Sequence, residues 1–418
     1  MSQKEELKTQ LCGVIDALAP ELISVSHEIH ANPELAFHEV KAAALLTRKL
    51  EEADLPVTRE AFGLETGFAT SLGTKGPEVG ILSEYDALPG IGHACGHNII
   101  ATTGLGATLA LATLNGKLPG RVRYLGTPAE EKGGGKEIMA QQGAFDGLDA
   151  AMMMHPAGVD LKTMPCICIS EVQATYHGKT AHASAMPHAG RNALDGLVTA
   201  YQSIAQLRQH IQHTERIHGI ITKGGSAPNI VPDLAEGLFY IRAANAIELA
   251  ELKTRVIACF EAGALATGCQ VELTWAQADY LEMKTSWPIA DAFETNAKQL
   301  GREFFPLEKL PTSSLGSTDM GNVSHRVPSI HPMLSCAPPH VVIHNPEFAK
   351  WAASDMGDTA CLDGAKALAM TAIDFMLDKD MQDAAKAQFA QTGEQSRDFV
   401  ARAFNPEGVR EIGGCGCC

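Results

Sequence analysis

Apolar and polar residues in the first part of the chain follow two periods, so strands and helices are expected in turn. Helical patterns run over 11–31 and over 98–114, and the second is rich in small residues. Short apolar runs bounded by glycine or proline predict strands in GFATSLG, in EVGILSEYD, over 121–127 and over 150–155. Strands that alternate with helices predict an α/β layered sheet.

The pattern changes near residue 171. An alternating strand, EVQATYHGKT, precedes a long amphipathic helix over 190–211. The apolar patterns that follow predict two strands, a second helix and a last strand, which completes the ferredoxin-like order. The sequence therefore predicts a larger domain in two parts, a domain inserted into it and a C-terminal tail, with the boundaries 1–171, 172–283, 284–395 and 396–418.

Composition narrows the class of protein. Hydrophobic residues make up 45% of the 418 residues and charged residues 20%, as in ordinary soluble globular proteins. The net charge of -16 argues against nucleic-acid binding, which needs a basic surface. The N-terminus has no secretory pattern, and no apolar run approaches the roughly 20 residues that span a bilayer. We therefore expect a cytoplasmic protein without a membrane segment.

Cysteines are numerous but do not indicate a disulfide framework. The chain has 11, an odd number scattered over a large protein. Three of them lie in the tail GGCGCC. This tail could hold a soft metal, form a disulfide or be an end with spare thiols, and the sequence leaves these alternatives open.

Residues suited to metal binding and acid–base chemistry concentrate in four segments. They are LSEYDALPGIGHACGHN, GTPAEEKGGG, MMMHPAG and PPHVVIHNPEF, each after a predicted strand or in a loop rich in glycine and proline. Each alone has an ordinary structural explanation, such as a core cysteine, a solvated acidic helix start or a structural histidine. Since sites in open α/β sheets form at the carboxyl ends of strands, the four together indicate one metal site.

The chemistry of these residues fits that site. A thiolate and an imidazole in the sequence Cys95-Gly96-His97 could face one metal ion. Glu130 and Glu131 are adjacent, so their side chains point in different directions and can do different work. One could bind metal while the other reaches the water that attacks the substrate.

The order of the motifs resembles a known family. The motifs are IHANPELAFHE, GHACGHN, GTPAEE, HGKTAHASAMPHAGRNALD, GGSAPNIVPD, GSTDMGNVSHRVP and IHNPEF, and they cover most of the chain. The sequence is similar to the metallopeptidase family of aminoacylases, glutamate carboxypeptidases and auxin-conjugate amidohydrolases. Within it, the sequence resembles the Cys-Gly-His branch, with its aminobenzoyl-glutamate hydrolases and β-alanyl-lysine type dipeptidase. The resemblance implies a zinc-peptidase-like three-layer catalytic domain with an inserted ferredoxin-like lid and dimerisation domain.

The resemblance also implies roles for individual residues. The implied metal ligands are Cys95, His97, Glu131, His155 and His344. Glu130 corresponds to the general base, Asp86 to the aspartate that supports the ligands, His182 to a histidine that reaches a neighbouring subunit's site, and Asn229 to a substrate-facing residue. A homodimer or higher homo-oligomer follows from the role of His182. Arg242 is a candidate partner for a substrate carboxylate, with a structural ion pair as the alternative.

These roles define a mechanistic hypothesis. Two divalent ions, zinc or manganese and possibly cobalt, would share Cys95 and activate a water. Glu130 would take its proton while the amide bond of a dipeptide or an aminobenzoyl-glutamate-like N-acyl amino acid is hydrolysed, and His182 would stabilise the oxyanion. An aminoacylase-like N-acyl amino acid hydrolase and a catalytically silent metal-binding scaffold are the alternatives.

Three departures from the family pattern favour the dipeptidase-like branch. Asn98 stands where many relatives have aspartate. The sequence Glu84-Tyr85-Asp86 stands where many have Asp-Met-Asp, and GSTDMGN stands where many have Glu-Asp-Phe.

Overall fold

The computed structural model describes residues 2–310, 316–391 and 409–411. These residues form two compact units, one of residues 2–165 with 283–391 and one of residues 166–282 with 409–411. The second unit overlaps the domain predicted over 172–283, whose role as a lid stays a prediction. The GGCGCC tail lies outside the described residues.

The helices among the described residues are α1 (Gln3–Ala31), α2 (Val40–Glu52), α3 (His97–Ala112), α4 (Gly135–Gln141), α5 (Ala193–Leu207), α6 (Ala246–Thr267), α7 (Trp287–Gln299), α8 (Met320–Ser324), α9 (Pro346–Trp351), α10 (Asp355–Leu377) and α11 (Lys379–Gln391). In the part of the chain that the structure describes, none of them is both long and apolar enough to cross a bilayer. The cytoplasmic location stays a prediction.

The strands are β1 (Thr58–Arg59), β2 (Phe68–Leu72), β3 (Glu78–Ser83), β4 (Arg121–Gly126), β5 (Ala150–Met152), β6 (His155–Ala157), β7 (Cys168–His177), β8 (Arg216–Lys223), β9 (Leu234–Ala243), β10 (Gln270–Trp275), β11 (Ser329–Ile330), β12 (Met333–Ser335) and β13 (Val409–Glu411). Within residues 2–310, 316–391 and 409–411 they form one six-stranded, one five-stranded and one two-stranded sheet.

The first unit is organised around the six-stranded sheet, in the order β1-β2-β4-β3-β5-β11. Strand β3 runs parallel to β4 and β5, and β5 runs parallel to β11. Every residue of β3 is buried, as expected for a parallel strand covered on both faces. The carboxyl ends of β3, β4 and β5 therefore meet at one edge of the sheet, where the predicted site residues follow them.

Helix α3 is buried along almost its whole length and packs against α1 and α10. Its glycines allow this close approach. A Cβ atom at Gly104 would lie 2.2 Å from Oγ of Ser83, and one at Gly106 would lie 2.9 Å from a methyl of Leu22. The helix begins at His97, directly after Gly96 in a left-handed conformation with φ 79. The core thus fixes the first turn of α3, which carries a predicted metal ligand.

The second unit is a five-stranded antiparallel sheet in the order β13-β10-β7-β9-β8, packed against α5 and α6. Along the chain its elements follow the order β7-α5-β8-β9-α6-β10, which is the ferredoxin-like order. Burial alternates strictly along β9, so one face of the sheet packs on the helices. Strand β8 lies at an edge and exposes Ile220 and Ile221, which are 63% and 43% accessible.

Candidate metal centre

Polar side chains gather at the carboxyl edge of the first unit's sheet. Asp86 follows β3, and Glu130 and Glu131 follow β4. Cys95 precedes α3, whose first residue is His97. His155 begins β6 and His344 precedes α9. These segments are distant in the sequence and meet because parallel strands end at the same edge.

One group of possible ligand atoms comes from Cys95, His97 and His155, all buried. The Sγ atom of Cys95 lies 3.4 Å from Nε2 of His155. The rings of His97 and His155 stand nearly perpendicular, at 88°, with centroids 6.0 Å apart. Nδ1 of His155 is engaged by the carbonyl of Pro156 at 2.7 Å, which leaves Nε2 directed at the thiol. Burial and the nearby His97 lower the pKa of His155 to about 3, so its ring is neutral and available as a ligand.

A second group shares the same thiol and consists of Cys95, Glu131 and His344. In each group the ligand atoms all lie within 4.8 Å of one another. Oε1 of Glu131 lies 3.4 Å from Nε2 of His344. The His344 backbone is left-handed, with φ 62, and its amide donates to the carbonyl of Ala94 at 2.8 Å. This bond ties the late histidine to the loop that carries Cys95.

Asp86 makes a hydrogen bond to one residue of each ligand group. Its Oδ1 contacts Nδ1 of His97 at 3.0 Å, and its Oδ2 accepts from the amide of Glu131 at 2.9 Å. Burial alone would raise the pKa of Asp86, but the bond to His97, the charge of His97, the Glu131 amide and the charge of Lys136 together hold that pKa below its usual range. A carboxylate on Nδ1 fixes the imidazole so that Nε2 faces the cluster, an arrangement common behind metal-bound histidines.

Three buried atoms around this cluster have no hydrogen-bond partner among the described residues. They are Nε2 of His97, Oε1 of Glu131 and Oε2 of Glu84. Leaving such atoms unpaired inside a protein costs about 1–3 kcal/mol each. Because they are nitrogen and carboxylate oxygen close to a thiol, a divalent cation would satisfy them. The residues therefore fit a metal centre.

Glu130 is buried beside the two groups without belonging to either. Its Oε2 lies 3.9 Å from Nε2 of His97, and its carboxylate forms a third group of possible ligand atoms with Glu84 and His97. Burial, followed by the charges of Glu84 and Glu131, raises the pKa of Glu130 well above its usual range. Contact with His344 and His97 instead lowers the pKa of Glu131 despite its burial. The adjacent carboxyls thus differ in proton affinity, as an acid–base group and a ligand should.

A buried cluster of charged side chains near Glu130 was not predicted from the sequence. Lys136, Glu84 and Asp319 are completely buried. The ammonium of Lys136 contacts Glu84 and donates to Oδ1 of Asp319 at 2.6 Å, and its backbone amide donates to Oδ2 at 2.9 Å. Carboxyl groups outnumber this lysine at the sheet edge, and bound cations would offset the excess negative charge. Asp319 lies in the GSTDMGN motif, which was the available signal.

Glu39 is a second buried carboxyl that the sequence reasoning missed, although it lies in the IHANPELAFHE motif. Its Oε1 accepts from the amide of Ala129 at 2.8 Å and from the amide of Phe37 at 3.0 Å, and its Oε2 accepts from Thr66 at 2.8 Å. Ala129 and Phe37 are both left-handed, with φ 61 and 66. Glu39 therefore holds the turn that presents Glu130.

Three predicted site residues belong to the second unit. His182 is exposed, and its Nδ1 accepts from the amide of Ala185 at 3.2 Å. Asn229 lies next to it, since its carbonyl accepts from the amide of Ala183 at 3.0 Å. Arg242 lies on β9 opposite Ile169 and is partly buried. The first unit gathers the other predicted residues without these three, whose roles stay predictions.

A sheet edge that gathers a thiol, imidazoles and carboxylates, with a separate buried acid beside them, defines a metal-dependent amidohydrolase or peptidase. The model of peptidase family M20/M25/M40 matches residues 80–372, and the chain belongs to this family. The membership confirms the class of enzyme predicted from the sequence.

Individual similar proteins support this class of enzyme. The Xaa-Arg dipeptidases of Mus musculus and Homo sapiens are 38% and 37% identical to this chain, and each match covers 93% of both proteins. One of the subunits of the p-aminobenzoyl-glutamate hydrolase of Escherichia coli is 33% identical over 67% of this chain and 63% of its own length.

Solved structures confirm the predicted fold class. A dinuclear metal-binding peptidase of the same family from Bacillus subtilis matches with a TM-score of 0.66 at 22% identity, over 87% of this chain and 99% of its own. An aminobenzoyl-glutamate utilization protein from Klebsiella pneumoniae matches with a TM-score of 0.69 at 18% identity, over 88% and 99%. At these identities the likeness concerns the fold.

Proposed function

We propose that this protein is a dipeptidase that hydrolyses the amide bond of a dipeptide, with aminobenzoyl-glutamate-like N-acyl amino acids as second candidate substrates. The observation that carries the proposal is the set of unpartnered ligand atoms around Cys95. The match to the Xaa-Arg dipeptidases spans nearly the whole chain, whereas the match to aminobenzoyl-glutamate hydrolase covers two thirds of it. This difference in coverage favours dipeptides as the first candidates.

The proposed ligands of two divalent ions are Cys95, His97, Glu131, His155 and His344. Cys95 belongs to two groups of ligand atoms, so its thiolate would be available to either cation. Thiolate, imidazole and carboxylate together suit zinc, and manganese or cobalt could also occupy such a site.

When bound, the cations would polarise the scissile carbonyl and make the attacking water more acidic. Glu130 would accept the proton of that water at its carboxylate and later donate it to the leaving amine. Its burial supports this role, because a desolvated carboxyl binds a proton more strongly than an exposed one. Asp86 would keep the His97 ring in the tautomer that leaves Nε2 free.

The proposal includes a homodimer in which His182 stabilises the oxyanion in the partner's site. The exposed position of His182 supports this role, since its ring is accessible to another subunit. Strand β8 supports dimerisation, because an edge strand with exposed isoleucines is an unprotected pairing surface. Asn229 and Arg242 are proposed to contact the substrate from the same domain.

A hydrolysis screen with metal-reconstituted protein tests the proposal. Dipeptides that end in arginine or lysine, aminobenzoyl-glutamate and N-acetyl amino acids form the panel. We expect the basic dipeptides to be cleaved fastest. Failure to cleave any member, at full metal occupancy, would contradict the proposal.

Two adjacent variants test the assignment of roles. Glu130→Gln should retain its metal and lose turnover by roughly 100-fold or more. Glu131→Gln should instead lose metal, because the Glu131 carboxylate shares a group of possible ligand atoms with the Cys95 thiol and His344, whereas the group that contains Glu130 lacks the thiol. Elemental analysis and steady-state kinetics on both variants separate a proton-transfer role from a ligand role. Equal metal loss in both would contradict the assignment.

A further inference from the structure

The first unit contains an apolar cavity that no step of the proposed hydrolysis uses. Its volume is about 480 Å³, which lies in the range typical of small-molecule sites. All fourteen described residues that line it are glycine, proline or apolar. None of these lining residues carries a charge or a polar side chain, so the cavity suits a hydrocarbon group and not the head group of an amino acid.

Several chain segments line the cavity, and two of them lead to proposed metal ligands. Ala157 lines the cavity and lies two residues after His155 in β6, so both side chains point to the same face of the strand. Ile343 also lines it and directly precedes His344. The cavity thus borders the two chain segments that carry His155 and His344, and none of the proposed ligands is among the described residues that line it.

The cavity wall is held in place by backbone pairing. Met333, which lines the cavity, is the Cα partner of His155 in the parallel pair β6–β12. Met333 and Leu161 also exchange two backbone hydrogen bonds, at 2.8 and 2.9 Å. The amide of Cys336 donates to the carbonyl of Ala157 at 2.8 Å. The geometry is thus built into the same strands that position His155.

We propose that this cavity is a specificity pocket that accepts an unbranched or aromatic hydrocarbon substituent of the substrate, adjacent to the scissile amide. The inference rests on the proposed function only in placing the polar end of the ligand at the metal centre. The enzyme would then prefer substrates with a sizeable apolar group on one side of the bond. A basic residue of the substrate would have to bind elsewhere.

Straight-chain carboxylates from acetate to octanoate test the pocket without requiring turnover. Their carboxylate would bind the cations at the metal centre, and their chain would report on the cavity. Isothermal titration calorimetry on metal-loaded protein should show affinity rising about fourfold for each added methylene until the cavity is filled. An affinity that does not change along the series, or no binding at any length, overturns the inference.

A filling variant and a matched control sharpen the test. A Cβ at Gly316 would point at the terminal methyl of Met164, 2.8 Å away, which is a flexible neighbour. Gly316→Leu should therefore fill part of the cavity and end the rise at a shorter chain. Gly116→Leu adds the same side chain in open space and should leave the series unchanged. Equal series in Gly316→Leu and wild type contradict the pocket.

A second variant keeps the test decisive if Gly316→Leu does not fold. Val159 lines the cavity and is partly exposed, so Val159→Asp places a carboxylate on its wall with little damage to the core. Octanoate binding should fall at least tenfold while acetate binding stays the same. Parallel loss of both, or of neither, contradicts the pocket. Chain-length dependence without dipeptide cleavage would overturn the proposed function alone, and cleavage with a flat series would overturn the pocket alone.

Discussion

Replacing Glu39 tests whether a buried carboxyl outside the ligand set holds the turn before Glu130. Its two oxygens accept from the amides of Phe37 and Ala129 and from the hydroxyl of Thr66. Glu39→Ala would leave three donors without their acceptor, and the two buried ones, from Ala129 and Thr66, would cost about 1–3 kcal/mol each before relaxation. A total loss of about 3–5 kcal/mol is expected, because such costs are not additive among neighbours.

Glu39→Gln separates geometry from charge. The amide oxygen can still accept from both backbone amides, and the amide nitrogen can donate to Thr66, so we expect a loss of only about 1 kcal/mol. Turnover should likewise fall more in Glu39→Ala than in Glu39→Gln. Freeing the left-handed turn at Ala129 displaces Glu130, and a shift of about 1 Å can cost roughly 100-fold in rate.

The raised pKa of Glu39 makes the free energy of unfolding depend on pH. Burial, followed by the charge of Asp86, raises the pKa of Glu39 from 4.5 to about 7. The folded state therefore holds this proton more tightly than the unfolded state does. The associated stabilisation is complete below pH 4.5 and is lost as the pH rises to about 7, by at most about 3 kcal/mol. Glu39→Gln carries no such proton, so it should lose less stability than wild type over this interval.

Urea unfolding followed by circular dichroism at pH 5 and pH 8 measures these effects. Glu65→Ala is the matched control, since Glu65 is exposed next to Thr66 and should change stability by less than about 0.5 kcal/mol. If Glu39→Ala is as stable as this control, the reasoning about the turn is wrong. If Glu39→Gln and wild type respond to pH alike, the reasoning about the raised pKa of Glu39 is wrong.

Three other predictions concern the metal centre and the dimer. Lys136→Met should destabilise the protein by about 3–5 kcal/mol, measured by urea unfolding, because it leaves two carboxyls buried without their cation. Burial and the charge of Glu131 raise the pKa of the Cys95 thiol well above its usual range, so metal uptake must displace its proton. The affinity of the protein for metal, measured by competition with a chelator, should fall roughly tenfold for each pH unit of acidification. In Cys95→Ala this affinity should fall less steeply. Mixed His182→Ala and Glu130→Gln subunits should recover activity if His182 acts in trans, and no recovery despite subunit exchange would contradict that role.

The sequence predicted the fold class, because its apolar periods report local structure directly. Helix α1 nevertheless begins at Gln3, well before the predicted 11–31. Its first turns are highly charged, so they lack the apolar period on which the prediction rested. The helix begins there because the Ser2 hydroxyl caps it by accepting from the amide of Glu5. The strand predicted over 150–155 is two short strands, β5 and β6. Such boundaries depend on caps and pairing that periodicity does not report.

For the site, the motifs selected residues that the structure brings together at one sheet edge. The sequence did not predict the buried charged residues next to this site, because their partners are distant in the sequence. Lys136 and Asp319 are 183 positions apart, and Glu39 and Ala129 are 90 apart. A lone lysine or glutamate in a sequence usually indicates a solvated surface, and only tertiary packing shows otherwise.

The two groups of ligand atoms differ in their access to solvent. Cys95, His97 and His155 are enclosed, whereas the side chain of His344 is 52% accessible and comes from a loop. Ions held in these two environments should not be equivalent. We expect chelators to strip the enzyme in two kinetic phases, with the ion nearer His344 leaving first and the enclosed one retained, so that a half-loaded form can be prepared and studied.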